Sequence, residues 1–175
     1  MKKLHRKTIK PPKRILAITL LIVVIIIVII GFIFSNINKT PSLKIYFLKE
    51  DSLVAVLRPI KEGEDILSKT AFELLKGPTK EEVSRGYFTE IPKRARVLSL
   101  KKEGTLLRIN FNRDFENYGG GSARVLGLVG QIIYTFTETS DIETILIMIE
   151  GKEEVVLGGE GYVIDHPLSR SDIKL

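Results

Sequence analysis

Ile15 to Phe34 is a run of 20 residues without a charge, reading ILAITLLIVVIIIVIIGFIF, in which only Thr19 and Gly31 are not strongly apolar. At about 1.5 Å per residue such a run spans roughly 30 Å as a helix, the hydrocarbon thickness of a bilayer. A core helix of a small domain would need a polar face, and this one has none. The expectation is a transmembrane helix, with Ile15, Leu20, Ile25, Ile30 and Phe34 among its lipid-facing anchor residues. The run leaves through FIFSNINKTPS, without the small-residue cleavage pattern of a signal peptide, so an uncleaved anchor is expected.

Charge orients the span. Residues 1–14 hold Lys2, Lys3, Arg6, Lys7, Lys10, Lys13 and Arg14 and no acid. The positive-inside rule puts this basic tail in the cytoplasm and everything after the span outside the cell membrane. Those seven bases also account for the net charge of +6, since the rest of the chain carries 20 bases against 21 acids. A near-neutral body argues against a nucleic-acid partner, which demands many phosphate-neutralising cations. The absence of cysteine excludes disulfides, thiolate catalysis and Cys-ligated metals. It also leaves no cysteine to acylate as a lipid anchor.

Beyond a polar linker, 35–42, hydrophobic periodicity divides the chain into short elements. Leu43–Leu48 and Leu53–Leu57 read as a hairpin around Lys49–Ser52. A helix is expected from Gly63 to Lys76, stopped by Gly77-Pro78. Thr79 and Glu82 have the spacing of a capping box, so a short helix should follow. Tyr87–Arg94 reads as extended or irregular. Arg96–Leu100 and Leu106–Phe111 are strand candidates, the second alternating Leu107, Ile109 and Phe111 with polar residues. Ser122 opens the main core helix, with a stripe of Val125, Leu128, Val129, Ile132, Ile133 and Phe136. Thr144–Ile149 is a continuous apolar run, expected as a central strand. The predicted class is α+β: a small mixed sheet in the order β-β-α-β-β-α-β, with helices on one face. The expected organisation is a tail at 1–14, a span at 15–34, a linker at 35–42, a domain at 43–157 and a C-terminal tail at 158–175.

Catalytic constellations are not apparent. His5 and His166 fall on opposite sides of the expected membrane, so a triad or a histidine metal site would have to rest on His166 alone, which precedes Pro167 in an expected loop, and neither role is expected of it. The carboxylate pairs Glu81-Glu82, Asp114 with Glu116, and Glu153-Glu154 are explained by helix starts and solvated turns. No cofactor or metal and no enzymatic activity are expected. The one candidate ligand site is the glycine run before the main helix: Arg113, Tyr118, Gly119, Gly120, Gly121 and Ser122. Helix N-termini offer free N–H groups to anions, and Arg113 and Arg124 flank the loop. No P-loop lysine follows, and Arg124 stands where a dinucleotide fingerprint requires glycine.

Several spaced pieces together resemble the GerMN domain of sporulation and spore germination proteins. They are Lys44–Leu48 (KIYFL), Leu74–Thr79 (LLKGPT), Ile91-Pro92, Val97–Leu100 leading to Gly104, and Ile109–Asn112 with Asp114-Phe115. The triple glycine, Gln131–Thr137 (QIIYTFT), Ile147–Lys152 (IMIEGK) and the ending Asp165–Arg170 (DHPLSR) complete the set. The resemblance implies an extracytoplasmic, membrane-tethered, non-enzymatic domain, similar in fold to the small ring-building domains of secretion-type assemblies. Its expected partners are envelope or sporulation proteins, or further copies of itself. The alternative is a module binding cell-wall glycan or a small acidic ligand at the Arg113–Ser122 loop.

Overall fold

The computed structural model describes residues 13–37, 41–116, 121–139, 141–158 and 161–174. The chain divides into two units, Met1–Thr40 and Pro41–Leu175. The first contains helix α1, Lys13–Ile37, of 25 residues. Its described side chains, Ile18 and the run Leu20–Gly31, are all exposed. Among the described residues no helix is long and apolar enough to cross a membrane.

The second unit is α+β. Strands β1 (Ser42–Lys49) and β2 (Ser52–Pro59) form the expected hairpin, in register from Ser42↔Pro59 to Lys49↔Ser52. Helix α2 runs Ile66–Lys76 and not from Gly63, because Asp65 takes the N-cap, accepting the Ser68 N–H at 2.8 Å. Helix α3 (Lys80–Ser84) begins with the expected capping box: Thr79 Oγ1 accepts from the Glu82 N–H at 3.2 Å, and Glu82 accepts from the Thr79 N–H at 2.8 Å. Strand β3 (Tyr87–Phe88) pairs with the end of β1. Strands β4 (Val97–Glu103) and β5 (Leu106–Phe111) are antiparallel, and β6 (Thr144–Ile149) runs parallel to β5 after helix α4 (Ser122–Thr139). Strands β7 (Val155–Leu157) and β8 (Tyr162–Ile164) form a ribbon.

The single mixed sheet expected from the sequence is replaced by two three-stranded sheets, β2-β1-β3 and β4-β5-β6, plus the β7-β8 ribbon. The reason lies at the strand edges. Tyr46 opposes Ala55 in the hairpin, and its own N–H and C=O are taken by α4: Thr135 Oγ1 accepts from the Tyr46 N–H at 2.9 Å, and Gln131 Nε2 donates to the Tyr46 carbonyl at 3.3 Å. The helix thus occupies the edge of β1 where another strand would pair. On β6, Ile145 exchanges two 2.8 Å backbone bonds with Leu168, and the Ile149 N–H donates to Lys152. These contacts occupy β1 beyond β3 and the outer edge of β6, so the two sheets do not join along those edges.

One core joins all of this. Ile45 and Phe47 of β1, alternate residues of β5 and β6, the predicted stripe of α4, and Leu74 of α2 are buried together. Phe111 and Phe115 stack at 4.1 Å between ring centroids. The segment 158–175, expected as a tail, contributes Ile164, Leu168 and Ile173 to the same core, and Tyr87–Phe88, in the stretch expected as extended or irregular, is a strand.

Candidate interaction groove

Where β3 meets β1, Leu48 lies opposite Phe88 in the ladder. Helix α4 passes beside this pair at Gly127, where a Cβ would lie 2.9 Å from Leu48 Cδ1. A larger residue here would force the Leu48 side chain to shift. Gln131, fully buried one turn further along, joins the helix to the residues just after β3: its Oε1 accepts from the Glu90 N–H at 2.9 Å, and its Nε2 donates to Thr89 Oγ1 at 3.1 Å. Buried amide groups are costly to leave unpaired, so this network fixes the distance between α4 and β3.

The result is a groove of about 390 Å³, with Leu48, Phe88, Leu126 and Gly127 on its apolar wall and Glu90, Arg124 and Lys174 among its polar residues. Phe88 is 40% exposed. The Glu90 carboxylate is held by Arg124 Nη2 at 2.8 Å and Nε at 3.0 Å. Leu126 and Lys174 also line a neighbouring hollow of about 450 Å³, with Val163 and His166. Such a surface can accept an apolar side chain or segment by desolvation and offers an ion pair at its rim.

The strongest electrostatic features lie elsewhere and tie elements together. Arg58 of β2 makes paired bonds to Glu82 of α3, at 2.7 and 2.6 Å, and its Nε is 3.5 Å from Glu73 of α2. The hydrogen-bonded Arg58 guanidinium lowers the Glu82 carboxyl to about 2. Glu138, between Arg170 and Lys44, is lowered to about 2 by its bonds to those two cations. Carboxyls so stabilised in their charged form are poor general acids or bases at neutral pH. Among the described residues no group of three or more His, Asp or Glu is placed to hold a metal ion.

The glycine-loop site is only partly represented. Tyr118, Gly119 and Gly120 lie outside the described residues. Gly121 and Ser122 are at the start of α4, where the Gly121 carbonyl accepts from the Arg124 N–H at 3.0 Å. Arg113 begins a short 3-10 turn, Arg113–Phe115, and its N–H donates to Glu150 Oε1 at 2.9 Å. Arg124, expected to flank an anion, is paired with Glu90. His166 is exposed, with Nδ1 2.6 Å from Asp165. Sequence reasoning missed Leu48, Phe88, Glu90 and Leu126. The available signal was the adjacent aromatic pair Tyr87-Phe88 just after Gly86, a strand-prone dipeptide following a helix stop.

Comparison with known proteins follows the same domain. The family described as "Germane: Sporulation and spore germination" matches residues 44–155. The spore germination protein GerM of Bacillus subtilis (strain 168) is 26% identical over 144 residues, covering 78% of this chain. The chain spans 38% of that protein's length. The tandem GerMN domains of the sporulation protein GerM from Bacillus subtilis superpose with a TM-score of 0.58 at 28% identity, covering 74% of this chain and 45% of that one. The first GerMN domain of the same protein, at 24% identity, shares the fold with a TM-score of 0.61 over 76% of this chain and 100% of its own. The chain belongs to the Germane family of sporulation and spore germination proteins.

Proposed function

We propose that this chain is a membrane-tethered, non-catalytic interaction module that works outside the cytoplasm in sporulation or germination envelope complexes. Tethering is supported by the uncharged run 15–34 and the basic residues before it. The exposed apolar side chains of α1 also favour a lipid environment over water. Family membership supports the sporulation or germination role.

The observation that carries the interaction reading is Phe88, an exposed aromatic in a two-residue strand beside an apolar groove. Aromatic side chains at the lip of a pocket are typical binding anchors. The occupant is a segment of another envelope protein that inserts an apolar residue between Phe88 and Leu126.

A photo-crosslinking residue at Ala123, which lines the groove, tests this in sporulating cells. The expected result is a discrete adduct with an envelope protein, lost in Phe88→Ser. An adduct pattern unchanged by Phe88→Ser refutes it. Topology is tested separately, because the chain has no native cysteine. A membrane-impermeant maleimide should label Lys101→Cys in intact cells and spare Lys7→Cys; the opposite pattern refutes the orientation.

A further inference from the structure

The folded unit keeps most of its arginines neutralised. Arg58, Arg85, Arg94, Arg108, Arg124 and Arg170 all form ion pairs with carboxylates. Arg96 and Arg113 have no ion pair among the described residues, and Asn112 brings them to one corner. Asn112 Oδ1 accepts from the Arg96 N–H at 2.8 Å, its own N–H donates to the Arg96 carbonyl at 2.9 Å, and its Nδ2 donates to the Arg94 carbonyl at 3.2 Å. Arg113 is the next residue. Ile91 and Ala95 are buried, so the intervening loop is anchored while Lys93, Arg94 and Arg96 stay exposed. Two isolated unpaired arginines would be ordinary surface. Arg96 and Arg113, with no ion pair among the described residues, together with Lys93 and an Arg94 whose side chain is 85% exposed, place four cations on two segments joined by three bonds from one asparagine.

Beside it is a hollow of about 440 Å³ lined by Pro92, Lys93, Arg94 and Asp114. The acidic groups there determine what the corner can take. Asp114 is 3.7 Å from Arg94 Nε, Glu150 receives the Arg113 N–H, and the exposed Glu116 ends the turn. A dense phosphate polymer would bring its charges against these carboxylates. A polypeptide with spaced carboxylates can reach the arginines and avoid them. Arginine's planar fork suits such carboxylates, with two parallel hydrogen bonds each.

We propose that Arg94, Arg96 and Arg113, with Lys93, form a docking site for an acidic segment of a partner protein. The site is separate from the groove at Phe88, and shares with that reading only the premise that the occupant is a protein.

The test uses the full chain in neutral detergent and a fluorescein-labelled alternating Glu-Gly peptide, read by fluorescence anisotropy. Arg96→Ser with Arg113→Ser should raise the dissociation constant about tenfold, as expected for two lost charge-assisted contacts. Arg113→Lys on the otherwise native chain should retain more binding than Arg113→Ser but less than the native chain, because it keeps the charge and loses the paired hydrogen bonds. Lys2→Ser with Lys3→Ser should leave it unchanged, separating this site from the basic tail. Carbodiimide coupling of the peptide should yield an adduct at Lys93. Equal loss in the tail variant, adducts confined to the tail lysines, or no effect of the arginine pair overturns the proposal. So does displacement by poly(glycerol phosphate) more effective than by unlabelled peptide, which would assign the corner to a phosphate polymer. None of these outcomes alters the expected adduct at Ala123, so the two readings fail independently.

Discussion

Replacing Arg58 with Met tests how the hairpin is held to the helical layer. Arg58 is 9% exposed, is bonded to Glu82 through both terminal nitrogens, is 3.5 Å from Glu73, and lies 5.8 Å from the Phe47 ring centre. Methionine fills the same space over Phe47 but leaves both carboxylates without this cation. Removing one partner of a buried ion pair costs about 3–5 kcal/mol. Two compensations lower that figure here. Lys69 remains 3.1 Å from Glu73, and Glu82 still accepts the Thr79 N–H. We expect a loss of about 2–3 kcal/mol, or about 10 °C in Tm for a unit of this size.

The pH dependence carries its own sign. The folded Glu82 carboxyl titrates at about 2 against an ordinary 4.5. Its contribution is therefore complete above 4.5 and is lost as pH falls toward 2. Discounted for solvent at the surface, it amounts to about 1–2 kcal/mol. In Arg58→Met that part of the acid-denaturation profile should flatten. Urea unfolding of the full chain in neutral detergent, followed by far-UV circular dichroism from pH 2 to 7, measures both effects. A variant as stable as the native protein, or one with an unchanged acid limb, refutes the argument.

Gly127→Ala forces the Leu48 side chain to shift, since its Cβ would meet Leu48 Cδ1 at 2.9 Å, and after alanine's helix-propensity gain the net cost should be about 1 kcal/mol or less; adding Leu48→Ala should make the Gly127→Ala step favourable in a denaturation cycle. Gln131→Met should destabilise by about 2–4 kcal/mol by orphaning the Tyr46 carbonyl and the Glu90 N–H, and hydrogen exchange should accelerate at Glu90. Deleting residues 166–175 removes Leu168 and Ile173 from the core and opens the edge of β6; the expected outcome is loss of cooperative unfolding and increased aggregation, measured by light scattering during thermal melts.

Much of the local structure follows from residues close together in the chain. The Thr79–Glu82 box, the stop at Gly77-Pro78 and the alternation of Leu107, Ile109 and Phe111 need only helical or strand periodicity and the hydrogen-bonding reach of a side chain. The spaced pieces from Lys44 to Lys152 were enough to indicate the family. The groove was not legible, because its parts come from β1, β3, α4 and the C-terminal segment, and Phe88 becomes a strand residue only by pairing with Leu48. The glycine-loop site drew attention to Arg113 through its proximity in sequence to Ser122, whereas the fold ties Arg113 to the 94–96 loop through Asn112.

By itself the sequence determined the α+β class, the helix and strand periods and the apolar run at 15–34. Tertiary structure decided the number of sheets, the packing of 158–175 into the core and the places where apolar and cationic residues gather. The physical reason is that periodicity and capping act within a turn or two of chain. Sheet membership depends on which partner satisfies an open edge in the folded chain, and at Tyr46 that partner is a helix, through the side chains of Gln131 and Thr135.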